Sequence, residues 1–251
     1  MKTEAVFDIS PDTDEIITLE NFMNTKKAYL LVASKPWIVD EFYAARKRLP
    51  GRWAILSSPD DLSASFLKDL SPRYIFFSHW SQIVPRQILD MAECVCFHMT
   101  DLPYGRGGSP LQNLILDGKT ETKISAFRME QGIDSGPVYQ KAALSLAGSA
   151  EEIFRRAAVE TMNLIEKIVL DEPEPRPQKG KATFFRRRAP EESELAESMS
   201  LGEIYDYIRA LDAPGYPHAF LNFGDKTVTF TKARLCADGV QATAKITGKS
   251  G

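Results

Sequence analysis

A histidine and a glycine-rich loop follow one apolar run of the chain, in the stretch CVCFHMTDLPYGRGGSP at residues 94–110. The run ends at His98, and three of the residues that follow are glycines, within the segment we call the glycine loop (residues 105–108). Glycine permits a positive φ and a close approach of the backbone to another group. Histidine gains or loses a proton near neutral pH. The stretch therefore predicts an ionisable group at a strand end, beside a loop that leaves room for a ligand.

A second histidine, His79, lies near the end of a predicted strand at residues 73–80. Open α/β sheets bind ligands beyond the carboxyl ends of their strands, so both histidines stand where a ligand is expected. The chain has three histidines in all, which makes two at neighbouring strand ends informative. For His79, a structural role and a ligand contact are interpretations of equal weight. For His98, the glycine loop behind it favours a functional role.

The glycine pattern does not match the common nucleotide-binding motifs. It is neither G-x-G-x-x-G after the first strand nor a Walker A loop, which also needs a lysine. Three cysteines (Cys94, Cys96 and Cys236) do not make a disulfide framework. Alternation along a strand places Cys94 and Cys96 on one face, where Cys94 is best interpreted as a small buried hydrophobic residue. No Cys and His set has zinc spacing, so the sequence predicts no metal.

Composition and charge are those of an ordinary soluble globular protein. Of the 251 residues, 43% are apolar and 26% are charged, and the formal net charge is −3. This charge offers no strong basic field for a long nucleic acid. No apolar run approaches the roughly 18 residues that span a bilayer, and the N-terminus has no apolar signal core. The sequence therefore predicts a cytoplasmic protein with no membrane partner.

Strand-like and helix-like segments alternate through the first half of the chain. Apolar runs predict strands, and apolar residues at helical spacing predict the helices between them. This alternation predicts a parallel, doubly wound sheet with right-handed crossovers. The predicted strands are 28–34, 53–58, 73–80 and 94–99, and the predicted helices are 39–51, 58–70 and 84–93.

The second half of the chain begins with the same kind of element and then changes. The sequence predicts helices at 109–118, 149–172 and 200–212, hairpins at 122–146 and 218–235, and a Pro-rich linker at 173–182. Residues 1–26 and the last eleven residues (241–251) carry no clear signal. The prediction is therefore an α/β, Rossmann-like, doubly wound and mostly parallel sheet in residues 1–182, followed by a small α+β C-terminal part in residues 183–251.

The residues around His98 resemble the formyltransferase family, whose signature is Asn-x-His, a Leu-Pro step and a Gly-rich turn. The matching run is Phe97–Pro103, followed by Gly107 and Pro110. The family also has an Asp in an Asp-x-Gly segment, and Asp134 in GIDSGPV follows His98 by 36 positions, the spacing that the family uses. The resemblance extends over roughly residues 28–170.

The resemblance implies that His98 and Asp134 are catalytic. Asp134 would orient the His98 ring and favour its charged form, and the ring would stabilise a developing oxyanion or accept a proton from an amine. The resemblance also implies 10-formyltetrahydrofolate as the formyl donor, with no metal. Its expected contacts are His79, Trp80, Ile83, Leu102, Pro103, Gly132 and Ile133.

One catalytic position departs from the family pattern, because Cys96 stands where the family has its Asn. A thiol is a much weaker hydrogen-bond donor than an amide. Three explanations stand: another donor such as His79 or a backbone N–H of the glycine loop replaces the Asn, the enzyme is slower, or the protein binds without catalysing. The presence of His98, Asp134 and the loop together favours an active enzyme.

The size and charge of the C-terminal part guide the prediction of the substrate. About 70 residues of a slightly acidic chain argue against tRNA. The segments FFRRRAPEESEL and YDYIRALDAPGYPHAF resemble the C-terminal part of the sugar N-formyltransferases, which implies a nucleotide-linked amino sugar as substrate, with Arg106, Gly107 and Gly108 as contacts. The run Arg186–Arg188 could meet a diphosphate, although a solvated patch is the simpler interpretation. Methionyl-tRNA formyltransferase and a non-catalytic binding relative are the alternatives. The sequence leaves the oligomeric state open, with a homodimer as one candidate.

Overall fold

Strands and short helices alternate as far as the middle of the chain, and an antiparallel sheet closes it. The computed structural model describes residues 6–8, 27–58, 61–80 and 82–248. The strands are β1 (Val6–Asp8), β2 (Ala28–Ala33), β3 (Arg52–Leu56), β4 (Pro72–Ser78), β5 (Glu93–His98), β6 (Arg106–Gly107), β7 (Glu121–Arg128), β8 (Val138–Ser145), β9 (Phe184–Phe185), β10 (Ala219–Phe223), β11 (Lys226–Cys236) and β12 (Gly239–Gly248). The α-helices are α1 (Pro36–Ala45), α2 (Ala64–Leu70), α3 (Arg86–Leu89), α4 (Pro110–Leu116), α5 (Ala150–Asp171) and α6 (Leu201–Leu211).

The main sheet has seven strands in the order β1-β3-β2-β4-β5-β7-β8. β3, β2, β4 and β5 are parallel, and antiparallel strands complete both edges. The chain runs from β2 outwards to β3 and then crosses to β4 on the other side of β2, which is the doubly wound arrangement. The predicted α/β class and the predicted β7–β8 hairpin are confirmed. None of the helices in the described ranges combines the length and the apolar character that crossing a membrane requires.

The apolar strands are explained by helices on both faces of the sheet. All six residues of β2 are buried, as expected of a strand that is covered on two sides. Leu31 packs in the cluster formed with α1 and α5, whereas Leu30 and Val32 pack in the cluster formed with α2 and α3. Cys94 and Cys96 face the second cluster together, as strand alternation predicts. His98 continues this alternation to the end of β5.

Several element ends differ from the sequence-based prediction, for local reasons. α2 begins at Ala64 rather than near residue 58, because the Ser63 hydroxyl accepts a hydrogen bond from the Phe66 N–H and caps the helix there. The predicted start at residues 59 and 60 lies outside the described residues. β4 ends at Ser78, because the next residue, His79, has a φ of 51° and turns the chain out of the strand.

The predicted α+β character of the C-terminal part is confirmed. Helix α6 starts at a capping box formed by Ser200 and Glu203, as predicted, and packs on the antiparallel sheet β10-β11-β12. The predicted hairpin corresponds to β10 and β11. The third strand, β12, lies in the segment without a clear sequence signal, since most of its side chains are exposed and few are apolar. The boundary at residues 182 and 183 stays a prediction.

Residues 176–188 form a segment that we call the strap, because it crosses the glycine loop. The predicted linker, 173–182, contributes its first part. Arg176 exchanges two backbone hydrogen bonds of 2.8 Å with Val138, and further along β9 pairs in parallel with β6. The Asn113 amide donates to the carbonyls of Gly108 and Arg186, each at 3.1 Å. Backbone pairing therefore fixes a segment that composition alone predicts to be a linker.

An aromatic cluster joins the C-terminal part to the sheet. The Phe154 ring of α5 stacks between Trp37 and Tyr216, with both centroid distances 5.2 Å. The His79 ring meets Phe154 edge-on at 4.9 Å, and its Nε2 accepts from the Trp37 indole at 3.4 Å. Burial, together with the nearby charge of Lys35, lowers the pKa of His79 to about 4. His79 is therefore neutral in the folded protein at neutral and mildly acidic pH.

The neutral His79 makes the folded state sensitive to acid. Its ordinary pKa is 6.5 and its folded pKa is about 4, so below pH 6.5 the unfolded chain binds more protons. The free energy of unfolding should therefore fall as the pH drops from about 6.5 to about 4, by at most ~3 kcal/mol. Urea unfolding of the wild type and His79→Phe across this range measures the effect. All other groups titrate in both proteins, so the two pH slopes should differ only by the contribution of His79. Equal slopes in the wild type and the variant would contradict this account.

Replacing Gly107, which contacts the strap, should lower the free energy of unfolding more than replacing a glycine in open space. Its φ is 102°, and a Cβ there would lie 2.4 Å from the Phe185 carbonyl oxygen. Gly118 has a φ of 70° with open space around it, so it is a matched control for backbone strain alone. Gly118→Ala should cost about 1 kcal/mol of unfolding free energy and Gly107→Ala about 3 kcal/mol, as measured by urea unfolding. Equal losses would show that the strap yields freely.

Candidate active site

β5 carries His98 to the edge of the sheet, where two oxygen atoms face its ring. The residue is 7% exposed. Its Nε2 lies 2.7 Å from the Gly105 carbonyl oxygen, which accepts the Nε2 proton. Its Nδ1 lies 3.6 Å from Asp134 Oδ2. The structure therefore brings together the two residues that the sequence pairs, and their catalytic roles stay predictions.

Asp134 is held in place from both its side chain and its backbone. It lies in the turn between β7 and β8 with a φ of 47°, in the left-handed region that non-glycine residues rarely adopt. Its Oδ2 accepts from the Gly107 N–H at 2.8 Å, and its carbonyl accepts from the Gln178 side chain at 2.8 Å. The carboxylate thus bridges the His98 ring and the glycine loop.

The backbone N–H groups of the glycine loop are all engaged within the chain. Each of the four residues 105–108 donates one hydrogen bond of 2.8–3.1 Å. The acceptors, in order, are Thr183 Oγ1, the Thr183 carbonyl, Asp134 Oδ2 and the Phe185 carbonyl. The structure gives no support to the explanation that one of these groups replaces the family's Asn as a donor.

Residues of the strap occupy the space beside the glycines. A Cβ at Gly105 would lie 2.6 Å from the Phe185 ring, and a Cβ at Gly108 would lie 2.6 Å from Arg187 Cβ. The glycines thus admit another segment of the same chain, and the expectation that they leave room for a ligand stays a prediction. Arg106, a predicted substrate contact, donates to the Gln178 side chain at 2.7 Å. Gly107 and Gly108 are likewise in contact with the strap, so a substrate role for these three residues stays a prediction.

Cys96 lies in an apolar environment at the position of the family's Asn. It is partly buried and packs against the cluster that contains Phe77 and Cys94. Burial, and then the negative charge of Asp134, raise the pKa of the Cys96 thiol well above its ordinary value. Burial likewise raises the pKa of Cys94 to about 12. Both groups are therefore neutral thiols, and Cys96 offers at most a weak S–H donor towards the His98–Asp134 pair.

His79 and Trp80, which follow one another in sequence, have different surroundings. His79 packs with α1 and α5, while Cys96 packs with the opposite cluster, so the geometry does not support His79 as the substitute for the Asn donor. Trp80 packs against that opposite cluster, and its ring meets Phe77 at 5.5 Å. The Trp80 Nε1 is buried and has no hydrogen-bond partner among the described residues.

The remaining predicted folate contacts divide into buried and exposed groups. Leu102 and Pro103 are buried, and the Leu102 N–H donates to Ser125 Oγ at 3.2 Å. Ile83 is 96% exposed and Ile133 is 69% exposed. Gly132 is also exposed. The folate assignment of all these residues, with His79 and Trp80, stays a prediction.

Three residues that position the site escape sequence reasoning. Gln178 and Thr183 bond to the Asp134 turn and to the glycine loop, and Ser125 Oγ donates to the Thr100 carbonyl at 2.7 Å. Gln178 lies within the predicted linker and Thr183 immediately after it, where hydrophobic periodicity gives no signal. Ser125 is a polar residue within a predicted strand, and this is the one hint that the sequence gives. In the structure Ser125 is completely buried.

Two further observations delimit the site. Across the described ranges, no group of three His, Cys, Asp or Glu side chains is placed to hold a metal ion. An open cavity of about 450 Å³ lies between α1 and α5, lined by residues such as Asp40 and Arg155 and by none of the predicted catalytic residues. The chemistry that the arrangement offers is therefore proton transfer and charge stabilisation by His98 beside a carboxylate.

Comparisons with known proteins find that this chain is similar to formyltransferases. Residues 190–247 match the family model described as methionyl-tRNA formyltransferase, C-terminal domain. A solved methionyl-tRNA formyltransferase from Clostridium thermocellum is 41% identical, with a TM-score of 0.86, over 88% of this chain and 99% of that chain. A methionyl-tRNA formyltransferase from Wolinella succinogenes is 32% identical over 158 residues, which are 61% of this chain and 50% of that protein. The chain thus spans about half the length of the curated relatives it matches.

The same comparisons overturn the prediction of a nucleotide-linked amino sugar as substrate. A 4-N formyltransferase from Francisella tularensis is 15% identical, with a TM-score of 0.65, over 80% of this chain and 94% of that chain, which is a likeness of fold alone. The prediction relied on the small C-terminal part, yet that part matches the methionyl-tRNA formyltransferase model. The similarity to the Clostridium thermocellum protein covers almost all of that protein, and the chain therefore belongs to the formyltransferase family of enzymes, which includes methionyl-tRNA formyltransferase.

Proposed function

We propose that this protein transfers a formyl group from 10-formyltetrahydrofolate to the amino group of methionyl-tRNA. The observation that carries the proposal is the His98–Asp134 pair, held beside the glycine loop at the end of β5. The choice of methionyl-tRNA is supported by the match of residues 190–247 and by the relatives at 32% and 41% identity.

His98 would handle the charges and protons of this reaction. The folate supplies the formyl group: a bond forms between the amine nitrogen and the formyl carbon, the bond from that carbon to the folate nitrogen breaks, and a proton passes from the amine to that nitrogen. The His98 Nε2, whose proton goes to the Gly105 carbonyl in this structure, would exchange that partner for the substrate, and the ring would then accept the amine proton or donate to the oxygen on which negative charge develops. Asp134 would orient the ring, because its Oδ2 lies 3.6 Å from Nδ1.

The surroundings of Trp80 suit the flat, partly apolar body of a folate. A buried indole N–H without a partner costs free energy unless a ligand or water accepts from it. Ile83 and Ile133 are exposed, and an apolar ligand would remove their side chains from water. Trp80 and Cys96 pack against the same cluster, on the face of the sheet to which strand alternation assigns His98. These residues would hold the donor next to His98.

Because Cys96 stands where the family has Asn, His98 would provide most of the stabilisation of the oxyanion. The backbone donors of the glycine loop are engaged with the strap and Asp134, and a neutral thiol is a weak donor. Losing one good donor costs roughly 10²–10³ in kcat in other enzymes. We therefore expect a slower reaction than in a relative that has Asn at this position, with His98 still essential.

The strap would supply the positive charge that tRNA phosphates require. It carries six cationic residues and no acidic one between positions 176 and 188, although the whole chain has a net charge of −3. Arg186 and Arg188 are engaged with Glu192. The others are exposed and make no ion pair within the described part of the chain: Arg176, Lys179, Lys181 and Arg187. Because charge is screened over about 10 Å, this local excess matters more to a bound phosphate than the net charge.

The first test is direct formyl transfer. Incubating the protein with 10-formyltetrahydrofolate and methionyl-tRNA, followed by alkaline release and mass spectrometry, should yield N-formylmethionine. His98→Asn should lower the rate at least ~100-fold, since it removes the proton-carrying ring. N-acetylmethionyl-tRNA, whose amine is blocked, is the control and should give no product. Folate binding without any transfer in the wild type would overturn the proposal in favour of a binding protein.

The second test concerns the strap. The double variant Lys179→Glu, Lys181→Glu should raise KM for methionyl-tRNA about tenfold at low salt and flatten its salt dependence, with kcat and the folate KM unchanged. Lys68→Glu, Lys119→Glu is the matched control, because both lysines are exposed on other elements and the change in net charge is the same. Equal effects of the two double variants would mean that the net charge, and not the strap, governs tRNA binding.

A further inference from the structure

Gln178 uses its whole side-chain amide to join the glycine loop to the turn that carries Asp134. Its Nε2 donates to the carbonyls of Asp134 and Gly136, each at 2.8 Å. Its Oε1 accepts from Arg106 Nη2 at 2.7 Å and from Arg106 Nε at 3.2 Å. Both amide protons and both lone pairs of the oxygen are therefore satisfied.

Chemistry permits a single orientation of this amide. Carbonyl oxygens only accept hydrogen bonds and a guanidinium only donates them, so exchanging the nitrogen and oxygen of Gln178 would oppose like partners on both sides. A carboxylate at this position would keep the contact with Arg106 but place an oxygen against two carbonyls. The site thus specifies glutamine by its donor and acceptor pattern.

These bonds close a circuit around the catalytic carboxylate. Asp134 Oδ2 accepts from Gly107 N, Gly107 follows Arg106 in the chain, Arg106 bonds to Gln178, and Gln178 bonds back to the Asp134 carbonyl. Asp134 has a φ of 47°, a conformation that persists when the surroundings impose it. The circuit fixes both the backbone and the side chain of the residue that faces His98.

We propose that Gln178 is a positioning residue for formyl transfer, which sets the Asp134 carboxylate against His98 and locks the glycine loop in register with it. It acts through Asp134 and touches no reacting atom. This inference rests on the proposed function, because its catalytic consequence is read through that reaction. Its structural consequence, a looser Gly107–Asp134 hydrogen bond, can be measured without any substrate.

The catalytic test combines Gln178→Met, which keeps the length of the side chain, with Asp134→Asn. Gln178→Met should lower kcat about tenfold and leave the folate KM within about twofold, since misplacing a catalytic group affects the transition state more than binding. In the Asp134→Asn background the same substitution should cost less than about twofold, because the carboxylate it positions is gone. Equal losses in both backgrounds would overturn the proposal and indicate a general structural role.

Gln178→Glu and Gln87→Met complete the set. Gln178→Glu keeps the Arg106 partner and repels the two carbonyls, so it should reproduce the kcat loss even if Gln178→Met folds poorly. Gln87→Met, on the exposed face of α3, is the control and should leave kcat unchanged. An unchanged kcat in Gln178→Glu would contradict a positioning role.

Amide hydrogen exchange separates this proposal from the proposed function. In Gln178→Met the Gly107 N–H should exchange at least ~10-fold faster, while the Gly118 N–H, which bonds to the Ile115 carbonyl and takes no part in the circuit, should be unaffected. If the wild type transfers no formyl group but Gly107 exchange rises, the circuit stands and the assigned reaction fails. Unchanged Gly107 exchange would overturn the circuit itself.

Discussion

The pairing of the strap with the glycine loop is the contact on which the candidate active site depends. Four consecutive backbone N–H groups, at residues 105–108, would lack partners without Thr183, Phe185 and Asp134. A buried backbone donor that loses its partner costs about 1–3 kcal/mol, so the loop holds this shape because the strap is there. The loop in turn presents the Gly105 carbonyl to His98 and the Gly107 N–H to Asp134. The His98–Asp134 pair is thus held by a segment far from it in sequence.

The sequence is sufficient to predict the sheet and the proximity of His98 and Asp134, because both leave local signals. Apolar runs of strand length identify β2–β5, and His98 follows such a run directly. Asp134 is identifiable by its spacing from His98 within a family motif rather than by any periodicity. The capping boxes at Ser149 and Ser200 locate the starts of α5 and α6 for the same reason, since the relevant hydrogen bonds lie within four residues.

The sequence does not show which group occupies the space that the loop glycines leave open. Three glycines in the loop are compatible with a ligand or with another segment of the chain, and the Pro-rich composition of residues 173–182 predicts a linker. The structure assigns both features to one contact, in which the strap packs against the glycines and Gln178 bonds across the turn of Asp134. Hydrogen bonds between residues far apart in the chain produce no periodic pattern in the sequence. The roles of Gln178 and Thr183 therefore become visible only in the folded structure.

The error over the substrate has a related cause, because an average can hide a local arrangement. A net charge of −3 argues against nucleic acid only if charge is evenly spread, and here six cations without an acid occupy residues 176–188. Those residues are the same strap that shapes the glycine loop. Lys179 follows Gln178 directly, and Lys181 lies two residues before Thr183, so the residues that hold Asp134 and the glycine loop stand among these cations. The segment that orders the glycine loop is thus also the one that carries this local excess of positive charge.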